Sequence, residues 1–114
     1  MDYKFRVIFL EEANEFLDGL DEKSREKILY NIWKIRGSKI NDKELFKKLR
    51  NEIWEFRTLY NKTYYRLFAF WDKLDKTDTL VVSTHGIIKK TDKISETDVI
   101  RANALREKYF NEKK

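Results

Sequence analysis

Residues 53–71 read IWEFRTLYNKTYYRLFAFW, and how they pair decides the fold. Aromatic and β-branched residues dominate from Ile53 to Tyr60 and again from Thr63 to Trp71, the composition of two strands. Asn61-Lys62 separates them as a two-residue turn, with Asn tolerant of the backbone such turns need. Side chains alternate along a strand. Trp54, Phe56 and Tyr60 therefore share one face, and Ile53, Glu55, Arg57 and Leu59 share the other. A hairpin closing symmetrically about Asn61-Lys62 sets Arg57 directly opposite Arg66.

Like charges opposite each other on a sheet repel unless a counter-charge intervenes. Two readings stay open. Glu55 and solvent neutralise the arginines, making a structural ion cluster. Alternatively the pair awaits an anion, and phosphate suits it because guanidinium donors match phosphate geometry.

Working outward, Thr79–Ile88 is a third strand-like run, reached through a turn over Asp72–Asp78. It carries the only histidine of the chain, His85, and leads to Lys89-Lys90. If this strand lies beside Thr63–Trp71, the lysines come near the arginine pair. Upstream, residues 3–10 (YKFRVIFL) read as a strand. Ala13, Phe16, Leu17 and Leu20 then fall at helical spacing, in a short helix ending near Asp18-Gly19. Asp21 is the N-cap of a second helix. Its stripe is Ile28, Leu29, Ile32, Trp33 and Ile35, and Gly37 stops it. Residues 36–50 read as a basic connection pinned by Phe46 and Leu49. Ser95-Glu96-Thr97-Asp98 resembles a capping box opening a last helix, with Val99, Ala102, Leu105 and Tyr109 along one side.

The expected order is β-α-α-β-β-β-α. It implies an α+β fold: a small, antiparallel-dominated twisted sheet with the N-terminal helical pair on one face, and a C-terminal helix. Residues 1–114 form a single domain, because no proline, repeat or linker divides the chain.

Composition bounds the chemistry. The chain is 41% hydrophobic and 15% aromatic, too apolar for a disordered segment. Its 25 Lys and Arg against 20 Asp and Glu give +5, which suits a polyanionic partner and equally a solvated surface. The absence of cysteine excludes disulfides, thiol nucleophiles and cysteine-ligated metals. A structural metal is not expected with one histidine. The first residues lack the apolar core of a signal peptide, and no apolar run approaches a membrane span, so a cytoplasmic protein is expected.

Three segments together resemble a known family: IWEFR at 53–57, YYRLFAF at 64–70 and VVSTHGIIKKTDKISETDVIRANALREKY at 81–109. They are similar to the RelE/HigB toxins of bacterial toxin–antitoxin pairs, within the RelE/ParE superfamily, and most to the phage-derived HigB-like branch. The likeness spans most of the chain and includes the element order. It implies a metal-independent mRNA endoribonuclease without cofactor, often acting on the ribosome, that arrests growth. The substrate's own 2′-hydroxyl would attack the adjacent phosphate. It also implies a cognate antitoxin partner, often a helix-turn-helix DNA-binding protein.

Carried over residue by residue, the resemblance puts Arg66 at the arginine of the Y-R motif that contacts the scissile phosphate. Arg57 falls at a basic position of the preceding strand, and Lys90 or its neighbour Lys89 at the basic residue after the last strand. Lys47 and Lys48 of the basic stretch, with Lys89, are candidate RNA contacts. One basic position of RelE is Glu55 here. The tyrosine near the start of its last helix corresponds to Ile100, which cannot transfer a proton. His85, Glu55, Tyr64, Tyr65 and Tyr109 are the remaining candidates for proton transfer; an imidazole near its unperturbed pKa suits that role. Two other functions stay open. One is a gyrase-directed toxin of the same superfold that cuts no RNA, since fold does not decide activity. The other is a plain RNA- or ribosome-binding protein.

Overall fold

The computed structural model describes residues 5–37, 43–73, 80–89, 93 and 96–113. Among the described residues eight elements follow one another: β1 (Arg6–Phe9), α1 (Glu11–Asp18), α2 (Glu22–Gly37), β2 (Phe46–Arg50), β3 (Ile53–Tyr60), β4 (Thr63–Asp72), β5 (Leu80–Lys89) and α3 (Glu96–Glu112). The sheet order is β1-β5-β4-β3-β2. All pairings are antiparallel except β1 with β5.

The β3–β4 hairpin has the register its turn dictates, with Arg57 opposite Arg66 and Tyr60 opposite Thr63. Asn61 and Lys62 both take positive φ, 52° and 62°, as a two-residue turn with the twist of its strands requires. At β4–β5 the register shifts between Leu67 and Ala69. The extra residue lies on β5, where the Ser83 and Thr84 hydroxyls both donate to the Phe68 carbonyl, at 3.1 and 3.3 Å.

One element differs from the expected order. Residues 46–50 form strand β2 rather than part of a basic connection. FKKLR is too charged to read as a strand, yet an edge strand tolerates exposed lysines. Phe46 anchors it, its ring 4.3 Å from that of Phe56 and 4.9 Å from that of Trp54. Asn51, at φ 54°, turns the chain into β3.

The helical pair covers one face. Ala13 and Leu17 of α1 and Ile28, Ile32 and Ile35 of α2 bury against Phe56, Leu67 and Val81. The Asp21 carboxylate accepts the Ser24 amide at 3.1 Å, capping α2 as its sequence predicts. Hydrogen bonding from the Ser24 side chain first, and from its amide second, holds the Asp21 carboxyl below the usual carboxylate range. Asn31 donates to Thr58 Oγ1 at 3.1 Å and pins α2 to β3. Gly86 lets α1 approach β5: a Cβ there would overlap the Phe16 ring.

α3 covers part of the other face, with Val99 and Ala102 packed on Ile53, Phe68, Phe70 and Val82. Asp72 ties its far end, accepting from Tyr109 and Lys113, each at 2.7 Å. An ion pair between Arg50 and Glu96, 2.8 Å, ties its near end to β2, and Arg101 pairs with Glu12 of α1. Ser95, the expected cap of α3, lies outside the described residues, as does most of the turn before β5. Among the described residues, no helix is long and apolar enough to cross a membrane.

Candidate functional site

Strand register alone assembles the α3-side face of the sheet into rows. Lys47, Glu55 and Phe68 are consecutive cross-strand partners; so are Arg57, Arg66 and Ile87, then Leu59, Tyr64 and Lys89. Six sequence-nominated residues, Glu55, Arg57, Tyr64, Arg66, Lys47 and Lys89, therefore share one face.

At its centre Glu55 Oε1 lies 3.1 Å from Arg66 Nη1 and 3.6 Å from Arg57 Nε. Glu55 is completely buried and Arg66 is 2% exposed, whereas the Arg57 side chain keeps 18% of its surface open. The Lys93 carbonyl caps the group from above, accepting from Arg66 Nη1 at 3.5 Å and from Lys89 Nζ at 3.1 Å. Two guanidiniums against one carboxylate leave net positive charge, and Arg57 carries it to the surface. The neutralising role foreseen for Glu55 is thus present in the geometry. An anion can still be held, through Arg57.

The other nominated residues lie outside these rows. His85 shares the face but sits beyond Phe68, its ring stacked on that side chain with centroids 4.9 Å apart. Its Nδ1 is 3.1 Å from Thr84 Oγ1 and its Nε2 is 3.2 Å from Asp98 Oδ1. Burial holds the imidazole below its usual pKa of 6.5, against the opposing pull of Asp98. It therefore joins β5 to α3. Tyr65 points to the opposite face, its hydroxyl 3.1 Å from Ser24 Oγ in the core. Tyr109 bonds Asp72 far along α3, and burial, aided by that bond, raises its pKa. Lys48 is exposed on the β2 edge opposite Trp54. Lys90 lies outside the described residues.

Sequence reading missed one feature. Beyond Phe56, β3 has no β2 partner, and a cleft of about 490 Å³ opens there beside α2. Lys27, Asn31 and Lys34 wall it on one side, Arg57, Leu59 and Tyr64 on the other. Their spacing in α2, four and then three residues, was the available signal. It had no meaning until β3 was known to lie alongside.

Comparison with known proteins places the fold. Among solved structures, the RelBE2 toxin–antitoxin complex of Mycobacterium tuberculosis matches with a TM-score of 0.50 at 19% identity, over 80% of this chain and 98% of that one. The intact RelBE toxin–antitoxin complex of E. coli matches with a TM-score of 0.51 at 18% identity, over 78% and 99%. No curated protein matches. At these identities the likeness establishes a RelE-type fold. The sequence model of the family described as "Phage derived protein Gp49-like (DUF891)" matches residues 15–107, most of the chain. This chain is a member of the Gp49-like phage-derived family, built on the RelE-type α+β fold.

Proposed function

We propose that this protein is the toxin of a toxin–antitoxin pair and cuts mRNA at the Arg57–Arg66 site. The observation that carries this reading is the cross-strand arginine pair, with Tyr64 and Lys89 in the adjoining row. The similar solved structures are toxin–antitoxin complexes, which supports an antitoxin partner.

In the proposed reaction the 2′-hydroxyl of one nucleotide attacks the adjacent phosphorus. The bond to the 5′-oxygen breaks, leaving a 2′,3′-cyclic phosphate and a 5′-hydroxyl. One proton leaves the 2′-oxygen and one reaches the departing 5′-oxygen. Arg57, and Arg66 behind it, stabilise the charge that grows on the phosphoryl oxygens. Tyr64 is the proton carrier we assign, because it lies on the same face and lines the cleft that Arg57 lines. The nucleophile belongs to the substrate, so no cofactor is required. We assign the ribosome as the place of cleavage and the cytoplasm as the compartment.

Induction in growing bacteria, with transcriptome-wide mapping of RNA 5′ ends, tests this. New ends within translated frames are expected, absent in Arg57→Ala and in Arg66→Ala. Because Arg66 is buried against Glu55, thermal melting of each purified variant separates lost chemistry from lost folding. Cleavage by a folded Arg57→Ala variant at the wild-type rate would overturn the site. The burial of Arg66 favours one second reading, a toxin that binds its target without cutting. Growth arrest with no new RNA ends would establish that one.

A further inference from the structure

The arginine group is closed from above. Glu55 is inaccessible, Arg66 nearly so, and the Lys93 carbonyl lies over Arg66 and Lys89. Arg57 is the arginine that opens outward, and it opens into the cleft between α2 and the part of β3 beyond Phe56. The charge of that cleft is one-sided: among the described residues, Lys27, Lys34 and Arg57 line it against the carboxylate of Glu44.

Its walls are also fixed. The Asn31–Thr58 bond at 3.1 Å holds α2 to β3 beneath the lysines, and the Arg57 amide donates to the Leu45 carbonyl at 2.7 Å at the edge. Amides two apart in a strand point the same way, so the Leu59 N–H faces that edge as well. Leu59 is 56% exposed, and with Tyr64 it offers apolar surface beside the cations. Positive charge that tracks a backbone, next to a ring and an aliphatic side chain, is the combination that takes a nucleotide strand.

We propose that this cleft docks single-stranded RNA, with Lys27 and Lys34 holding a phosphate of the strand next to the one at Arg57. The inference rests on the RNA-cleaving reading and adds to it a binding site on α2. Recognition through phosphates makes the interaction sequence-tolerant and strongly salt-dependent. The bases of an intact duplex are paired and stacked within it and cannot lie against Tyr64 and Leu59, so an unpaired strand is the occupant.

The test is fluorescence anisotropy with a labelled six-nucleotide RNA whose 2′-oxygens are methylated, so that it cannot be cut. Lys27→Ala with Lys34→Ala is expected to weaken binding at least tenfold at low salt. The slope of log affinity against log salt should fall by about 0.7, for the one phosphate that the variant no longer neutralises. Lys73→Ala with Lys108→Ala removes the same charge away from the cleft and should leave the slope unchanged. Equal weakening in both pairs would mean diffuse attraction and overturn the cleft. Unchanged affinity in the Lys27/Lys34 pair would overturn it too, and would fit a protein occupant. If the double variant binds normally while Arg57→Ala abolishes cleavage in cells, the cleft fails and the ribonuclease stands. If the wild-type protein neither binds the RNA nor yields new RNA ends, both fail.

Discussion

The Glu55 carboxylate lies 3.1 Å from the Arg66 guanidinium, with 0% and 2% of the two residues exposed to solvent. A buried charge pair adds little over a well-packed apolar one, but removing one partner leaves the other stranded. Here it would leave two arginines facing each other without the carboxylate between them. Glu55→Gln is therefore expected to destabilise the protein by about 3–5 kcal/mol, as for other broken buried pairs. Urea denaturation measures it. Inorganic phosphate should stabilise the variant more than the wild type, because an anion can replace the missing carboxylate. An unchanged midpoint would mean the arginines do not depend on Glu55.

His85 makes stability pH-dependent in a fixed direction. Its folded pKa lies below the usual 6.5, chiefly through burial. The unfolded chain thus binds the proton more readily, so stability is fully present above about 6.5 and is lost as pH falls toward the folded value. Denaturation midpoints should decline over that window in the wild type. His85→Asn should flatten that decline. If its curve keeps the wild-type slope, another group titrates there.

Gly86 permits a close approach that no side chain would. A Cβ there overlaps the Phe16 ring, so Gly86→Ala should cost about 1–3 kcal/mol, the usual penalty of overpacking. Phe16→Leu should relieve part of that cost when combined with it, giving a non-additive cycle in thermal or chemical melts. Strict additivity would place the strain elsewhere.

Adjacent tyrosines should part company. Tyr64 lies beside Arg57 in the cleft, whereas Tyr65 meets Ser24 in the core. Tyr64→Phe is expected to slow RNA cleavage about 100-fold or more, within the range of lost proton transfer, with little change in melting. Tyr65→Phe should cost about 1 kcal/mol of stability and leave the cleavage rate intact. Equal cleavage by the wild type and Tyr64→Phe would remove Tyr64 from the chemistry.

The opposition of Arg57 and Arg66 was legible because a two-residue turn fixes register within about ten residues on either side, and side-chain alternation then sets the faces. The helix cap at Asp21 and the α+β class were legible for the same reason: each depends on spacing along a short stretch. His85 was not. Its neighbours Thr84, Asp98 and Phe68 come together only when β5 bulges against β4 and α3 crosses the sheet. Strand β2 was hidden by charge, because Phe46 identifies it through ring contacts with residues of the next strand.

By itself, then, the sequence determined the hairpin, its face assignment and the arginine pair, all consequences of local backbone geometry. Tertiary structure alone decided that β1 inserts parallel beside β5 at the sheet edge, that Glu55 is sealed between the arginines, and that Lys27 and Lys34 meet Arg57 across a cleft. These depend on which surfaces bury against which, and burial is a property of the whole chain rather than of any stretch of it.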